Sequence, residues 1–451
     1  MWNMRNKAYP YMMKPCLIKQ FTVLSVLLIS GLLLHAQEEL ALRMLEAEVL
    51  EANLNRKIAT KDKAIAGNNY DKGNAGLLPT VNLALRNITT YITNTLTTAD
   101  GREIVNDFTL NNNVNANVNA EIAIYNGGRN KNLYERLRML TETADINERI
   151  VIENLLYNLR TLYYQAVRQK QLIKTTRAAL DFTEQRLQLA VNKLDIGTGN
   201  KVVVLQTELE KNQLLAELET QNLLLLNIYD QINALRNLPP SSEVPVTDST
   251  YVIKSPDKNA LKSTLLENNL QFKMADLNIA LALNSIEDVK GLKRPSVTAN
   301  LGYTFNRADN GAGFFLLNQS NGFGAGVAVT MPIYDANRIK IQYRNAQLQS
   351  EQANMQKELL QINLDAQFEQ LFRTYEASER LASLQKKNVD IAEENLIIGI
   401  NRFKVGVTDG FELEQIQQGY TQANFRWIDA LFQTKMNELE LMRLTGKLAL
   451  Y

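Results

Sequence analysis

Two stretches of this chain leave little choice of fold. From Gly128 to Leu194 there is no proline and no internal glycine, and the run from Ala336 to Phe403 is interrupted only by Gly399. Leu133, Leu137, Leu140 and Ala144 keep helical spacing in the first run, and Leu, Glu, Gln, Arg and Ala dominate it. At 1.5 Å per residue, an unbroken helix of that size is about 100 Å long. Ordinary globular domains hold no such helix, so the expectation is a bundle standing on end. Shorter helices are expected before the strands (about 38–72 and 257–290) and after tight turns (about 201–237 and 409–445). Two of these laid end to end match one long helix.

The long runs are copies of each other. Tyr125-Asn126-Gly127-Gly128-Arg129 is answered 209 positions later by Tyr334-Asp335-Ala336-Asn337-Arg338, and Ile196-Gly197 by Val405-Gly406 at the same offset. Pro79-Thr80-Val81 is answered by Pro295-Ser296-Val297 at 216. A period of about 200 residues is too long for a solenoid repeat and marks a tandem duplication. The expected boundaries are a first repeat at 37–238, a linker at 239–256 holding four of the nine prolines, and a second repeat at 257–451. Each repeat reads as helix, two strands, very long helix, tight turn, helix.

The strands carry a different message. In Asn113 to Ile124, one face holds Val114, Ala116, Val118, Ala120, Ile122 and Ile124, and the other holds Asn113, Asn115, Asn117, Asn119 and Glu121. The second repeat alternates likewise, with Phe323, Ala325, Val327, Val329 and Met331 on one face and Gly322, Gly324, Gly326, Ala328 and Thr330 on the other. Pro79 to Thr97 and Pro295 to Arg307 also alternate. About ten residues, apolar outside and polar inside, is the pattern of a transmembrane β-strand. A soluble sandwich strand with a wet face is the other reading. Asparagine disfavours strands, so four alternating asparagines need a special setting, and a wet lumen supplies one. Four strands close no barrel, and open edges in lipid leave backbone groups unpaired, so strands in a membrane require oligomerisation.

The start of the chain bears on compartment. Lys14 and Lys19 precede a 14-residue apolar run, Phe21 to Leu34, followed by His35-Ala36-Gln37. This reads as a signal peptide over 1–36, since 14 residues are few for a membrane span. The only cysteine, Cys16, and the only histidine, His35, fall inside it. The remainder then has no disulfide, no Cys nucleophile, no His base and no Cys/His metal site. With 49 basic and 48 acidic residues, nothing suggests a nucleic-acid partner.

The ordered set of features, present twice, resembles the TolC family of outer-membrane efflux proteins over nearly all of residues 38–446. The resemblance is carried by the tandem halves and the strand pairs. It is carried too by the junctions Ile124 to Arg129 and Met331 to Ala336, and by Phe403-Lys404-Val405-Gly406 before a helix ending Leu444-Thr445-Gly446. It implies a mostly α protein with a membrane β-barrel part: a long α-helical barrel plus four strands per subunit, and a 12-stranded barrel formed by a homotrimer. It further implies contact with outer-membrane lipid, a periplasmic adaptor and an inner-membrane pump of RND or ABC type, with no reaction catalysed and no cofactor.

Site residues follow in the same sense. Gly197 and Gly406 supply the backbone freedom that a tight turn between antiparallel helices requires. The resemblance adds adaptor contact at Gly197, Thr198, Val405, Gly406 and Val407. It places Glu412 at the pore constriction, with Gln415 one turn on where a second acid is common, so one carboxylate ring is expected. Phe403 stands where a hydrogen-bonding tyrosine is often found. Asn113, Asn115, Asn117 and Asn119 would face the lumen. Tyr125, Tyr334, Tyr303 and Phe323 read as girdle residues at the membrane edges, with packing at the strand-to-helix junction as the other reading for Tyr125 and Tyr334. Loops at about 98–107 and 308–320, the second with apolar Phe314 to Leu317, are expected outside. The competing readings are a coiled-coil envelope spacer without a pore and a periplasmic enzyme working with carboxylates alone.

Overall fold

The computed structural model describes residues 40–247, 257–311, 315–405 and 407–448. The expected signal peptide, the later part of 239–256, Phe314 and Gly406 lie outside the described residues. In chain order the elements are α1 (40–52), α2 (Leu54–Asn69), β1 (Thr80–Thr97), β2 (Glu103–Asn126), α3 (Arg129–Asp195), α4 (Lys201–Arg236), α5 (Lys258–Asn268), α6 (Leu270–Gly291), β3 (Ser296–Asn310), β4 (Leu317–Thr330), α7 (Arg338–Lys404) and α8 (Gly410–Leu444). The two long helices have 67 residues each, and α7 begins and ends 209 positions after α3. No described helix is long and apolar enough to cross a membrane.

Two expectations needed correction. The helices before the strands are not continuous, because Asn53 and Asn269 interrupt them. Asn53 Oδ1 accepts from the Asn55 and Arg56 N–H groups, restarting the helix as a cap would. The connections between paired strands are also shorter than expected, 98–102 and 311–316, because β2 starts at Glu103, β3 runs to Asn310 and β4 starts at Leu317. At 98–102 the turn is tied by Arg102 on Asp100 and by Thr98 on the Arg102 carbonyl.

The chain forms two compact units, each drawing on both repeats. The helical unit comprises residues up to Lys57, Ile150–Asn269 and from Asn363 onward. Its core is Leu45, Val49, Leu155, Leu159, Tyr163, Tyr164, Val167, Ile232 and Val244. The stretch 239–247 packs here rather than hanging free: Val244 is in the core, Lys170 donates to the Val246 carbonyl at 2.8 Å and Tyr163 pairs with Thr247. The two interrupting asparagines act alike. Asn53 donates to the Leu235 carbonyl at 3.0 Å and Asn269 to the Leu444 carbonyl at 2.9 Å, so each ties a broken helix to the end of its own repeat.

The other unit, Ile58–Arg149 with Leu270–Ile362, carries the sheet. Its strand order is β1-β2-β3-β4, antiparallel throughout, with β1 and β4 as edges. Beneath the sheet, Asn132 and Asn284 exchange amide-to-carbonyl hydrogen bonds at 2.9 and 3.1 Å, and Arg129 holds Asp288 at 3.1 Å. Lys63 bridges Asp145 and Glu148. Gly127 and Gly128 enter α3 at φ +61° and +85°. A Cβ at Gly127 would sit 2.1 Å from the Gly291 carbonyl oxygen, so close approach as well as φ requires glycine there.

Candidate pore face and hairpin tips

Directly opposed residues of antiparallel strands share a face, so the register sorts the sheet. One face carries Thr80, Asn82, Ala84 and Arg86 on β1 and Glu121, Asn119, Asn117, Asn115 and Asn113 on β2. It continues with Asn300, Gly302, Thr304, Asn306 and Ala308 on β3 and Gly326, Gly324, Gly322, Ser320 and Asn318 on β4. The four asparagines singled out in the sequence therefore lie in one column of a wall built from amides, hydroxyls and glycines. Asn115 donates to Asn306 across the strands. The asparagines lie against neighbouring glycines: a Cβ at Gly326 would be 2.8 Å from Asn300 Oδ1, and one at Gly302 3.2 Å from Asn119 Oδ1.

The opposite face is apolar over five rows, from Val297 and Val329 through Leu301, Val118 and Leu83 to Phe305 and Leu85, save for Asn321 at the β4 edge of the fifth. Phe323 is 85 % exposed and its ring lies 4.9 Å from that of Tyr303, tilted by 58°. Beyond it come Asn87, Arg307 and Gln319, with Arg307 paired to Asp309 at 3.0 Å. Tyr125 and Tyr334 are both exposed in the single chain, Tyr334 at 86 %.

In the helical unit, the α3–α4 turn closes by a two-bond cap. Gly197, at φ +76°, donates to the Leu194 carbonyl at 3.0 Å and Thr198 to the Lys193 carbonyl at 2.9 Å. Asn200 then caps α4 by accepting from Val202 N–H. The α7–α8 turn repeats the outer bond, Val407 N–H to the Arg402 carbonyl at 2.9 Å, and Asp409 caps α8. Ile196, Val405, Val407 and Phe411 are exposed apolar side chains at these tips, with Val405 at 75 %.

Glu412 occupies the first turn of α8, its N–H on Asp409 at 2.8 Å and its carboxylate 3.8 Å from Arg402. Both partners are about half exposed, so the pairing is weak. Glu412 and Gln415 line one groove of about 720 Å³ with Glu394, Asn395, Ile398, Ile416 and Gly419. Phe403 takes Lys193 over its ring at 4.6 Å, a cation–π contact in place of a hydroxyl bond.

Sequence reading missed the hub above the tips. Arg186 of α3, 2 % exposed at its side chain, contacts Glu210 of α4 and lies 3.7 Å from Glu414 of α8. Gln417 accepts from Arg186 at 3.4 Å and donates to the Ala179 carbonyl and Thr183 hydroxyl at 3.0 Å each. Burial pushes the Arg186 guanidinium below its usual range, which the facing carboxylate of Glu414 opposes. A lone arginine at a helical core position was the one available signal, and its partners are up to 231 positions away. Among the described residues no three His, Cys, Asp or Glu side chains gather as metal ligands.

Residues 261–447 match the family model described as outer membrane efflux protein. No protein of curated function matches the sequence. The fold is that of solved outer-membrane channels. With VceC from Vibrio cholerae the identity is 16%, the alignment covers 90% of this chain and 96% of that one, and the TM-score is 0.72. With the outer-membrane channel OprN the values are 15%, 91%, 91% and 0.75, and with CmeC from Campylobacter jejuni 12%, 90%, 86% and 0.74. The second part of the chain is thus similar to the outer membrane efflux protein family, and the chain as a whole has the TolC-like fold of these channels.

Proposed function

We propose that the protein is one subunit of a homotrimeric, passive export duct in the outer membrane of a Gram-negative cell, reaching into the periplasm toward an adaptor and an RND- or ABC-type pump. The observation that carries this reading is a four-stranded sheet with one amide-rich face, one apolar face and two open edges. The apolar rows from Val297 to Phe305 span about 27 Å along the strand and about 20 Å of height at a 40° tilt, close to the apolar band of outer-membrane barrels. Edges β1 and β4 in lipid would leave backbone groups unpaired unless copies join them, and three copies supply twelve strands. In the trimer Asn113, Asn115, Asn117 and Asn119 face water.

The tips with Gly197, Thr198, Val405, Gly406 and Val407 are the adaptor contact, supported by the exposed Ile196, Val405 and Val407. Glu412 and Gln415 mark the constriction, with Arg402 partly neutralising the carboxylate. The two repeats, 37–238 and 257–451, are copies of one ancestral unit, with 1–36 removed on secretion.

The test is reconstitution of the detergent-purified protein in a planar bilayer. A trimer by mass with stepwise channel openings is expected. A stable oligomer that inserts but passes no current would instead favour a coiled-coil envelope spacer. For the constriction, Glu412→Ala is expected to weaken block by multivalent cations, and unchanged block removes Glu412 from it.

A further inference from the structure

We propose that the amide-lined face of the barrel carries two opposed rings of charge, Glu121 at the helix-proximal end and Arg86 farther out, which set the ion selectivity of the barrel. This rests on the channel reading above. Across the polar face from Thr80 to Thr90 on β1, and the positions opposed to them on β2, β3 and β4, Glu121 and Arg86 are the only ionisable side chains. Glu121 stands opposite Thr80 and Asn300, and Arg86 opposite Asn115. The rows between them hold Asn82, Asn119, Ala84, Asn117, Gly302 and Thr304.

Neither charge has an ion-pair partner among the described residues, unlike Arg307, which is paired to Asp309 on the other face. The wall around the two charges is low. Glycines occupy the β4 column at 322, 324 and 326, and Asn119 and Asn300 lie against glycines of the neighbouring strand. Arg86 and Glu121 are the long side chains on that floor, so they stand farthest into the lumen. In a trimer each becomes a ring of three like charges, and charged rings set selectivity in wide pores.

Separation decides how the rings act. Arg86 lies six residue steps from Thr80, about 20 Å along the strand. The Debye length is about 8 Å at 0.15 M salt and about 30 Å at 0.01 M. At physiological salt each ring therefore filters alone, and their opposite signs offset each other in the net permeability ratio. At low salt they merge into an axial dipole, which makes conductance depend on the sign of the voltage.

The experiment measures K⁺/Cl⁻ permeability ratios and current rectification of single channels at 1 M and 0.01 M salt. Wild type is expected to rectify more at 0.01 M. Arg86→Glu is expected to raise the cation preference about threefold or more, and Glu121→Gln to lower it about twofold. Because the chain has no cysteine besides Cys16, Arg86→Cys offers a second route if the charge reversal does not assemble. A cationic methanethiosulfonate reagent should then restore the wild-type ratio and an anionic one should shift it toward cations. Unchanged ratios in assembled, conducting variants would overturn the two-ring filter and leave the channel reading intact. A wild-type protein without conductance would instead overturn the channel reading itself.

Discussion

In the first α-hairpin, Arg186 of α3 contacts Glu210 of α4 in a site closed to water. In the second, 209 positions later, the same places hold Asn395 and Gly419, and both line an open groove. The hairpins share the length of the long helix, the outer turn bond and an N-cap, since Thr198 and Asn200 recur as Val407 and Asp409. Backbone grammar is thus common to the two copies, whereas the polar interior is not. One hairpin is locked by charge and the other has a hollow side where Glu412 and Gln415 sit.

The largest test of that contrast is Arg186→Ala. It would leave Glu210 buried without its cation, and such losses cost about 3–5 kcal/mol. Thermal unfolding followed by circular dichroism should show it, while Asn395→Ala should change stability by less than about 1 kcal/mol. Equal effects at the two positions would erase the distinction between a locked and a hollow hairpin. A comparable contrast exists where strands hand over to the long helices. Gly127→Ala puts a methyl on the Gly291 carbonyl and forces an unfavourable φ, for a loss of about 3 kcal/mol. Its counterpart Ala336 already holds φ +54°, and Ala336→Gly should stay within about 1 kcal/mol.

Where the copies agree, mutations should agree. Asn53→Ala and Asn269→Ala each remove a bond from a broken helix to the last turn of its repeat, and each should cost about 1–2 kcal/mol. Unequal losses would show that one copy relies on the tie more than the other. At the hollow side, a Cβ on Gly419 would touch nothing within 4 Å. Gly419→Ala should accordingly stabilise α8 by about 0.5–1 kcal/mol, a gain that a packed first hairpin would not allow.

Periodicity made the long helices and the strand faces legible before any coordinates, because both depend on residues near in sequence. Gly197 at the first turn was legible for the same reason. The break at Asn53 was not, since its partner carbonyl belongs to Leu235. Nor was the Arg186 hub, assembled from three helices, or the Arg402 beside Glu412. Arg86 and Glu121 needed the strand register, as their spacing of 35 positions says nothing about a shared face. Long-range polar pairing leaves no periodic trace, and the polar interior of this protein is largely of that kind.

The smallest expected effect concerns an ion pair that recurs in the second half of the chain with its signs exchanged. Arg160 holds Glu46 at 2.6 Å in the first repeat, and at the matching places Glu369 accepts from Lys262 at 2.9 Å, with Lys258 joining at 2.8 Å. The first pair is closed to water and the second is open to it. Hydrogen bonds from Lys258 and then Lys262 hold the Glu369 carboxyl down at about 2, against 4.5 ordinarily. A carboxyl depressed in the folded state stabilises it above the unfolded value, and that stabilisation fades as pH falls from about 4.5 toward about 2. Wild type should therefore lose melting temperature more steeply than Glu369→Gln across that window. Because the second pair is exposed, the difference should shrink in 1 M salt, where screening reaches about 3 Å. A salt-independent difference would mean that Glu369 is sheltered in the assembled protein, and the two pairs would then be alike in setting as well as in position.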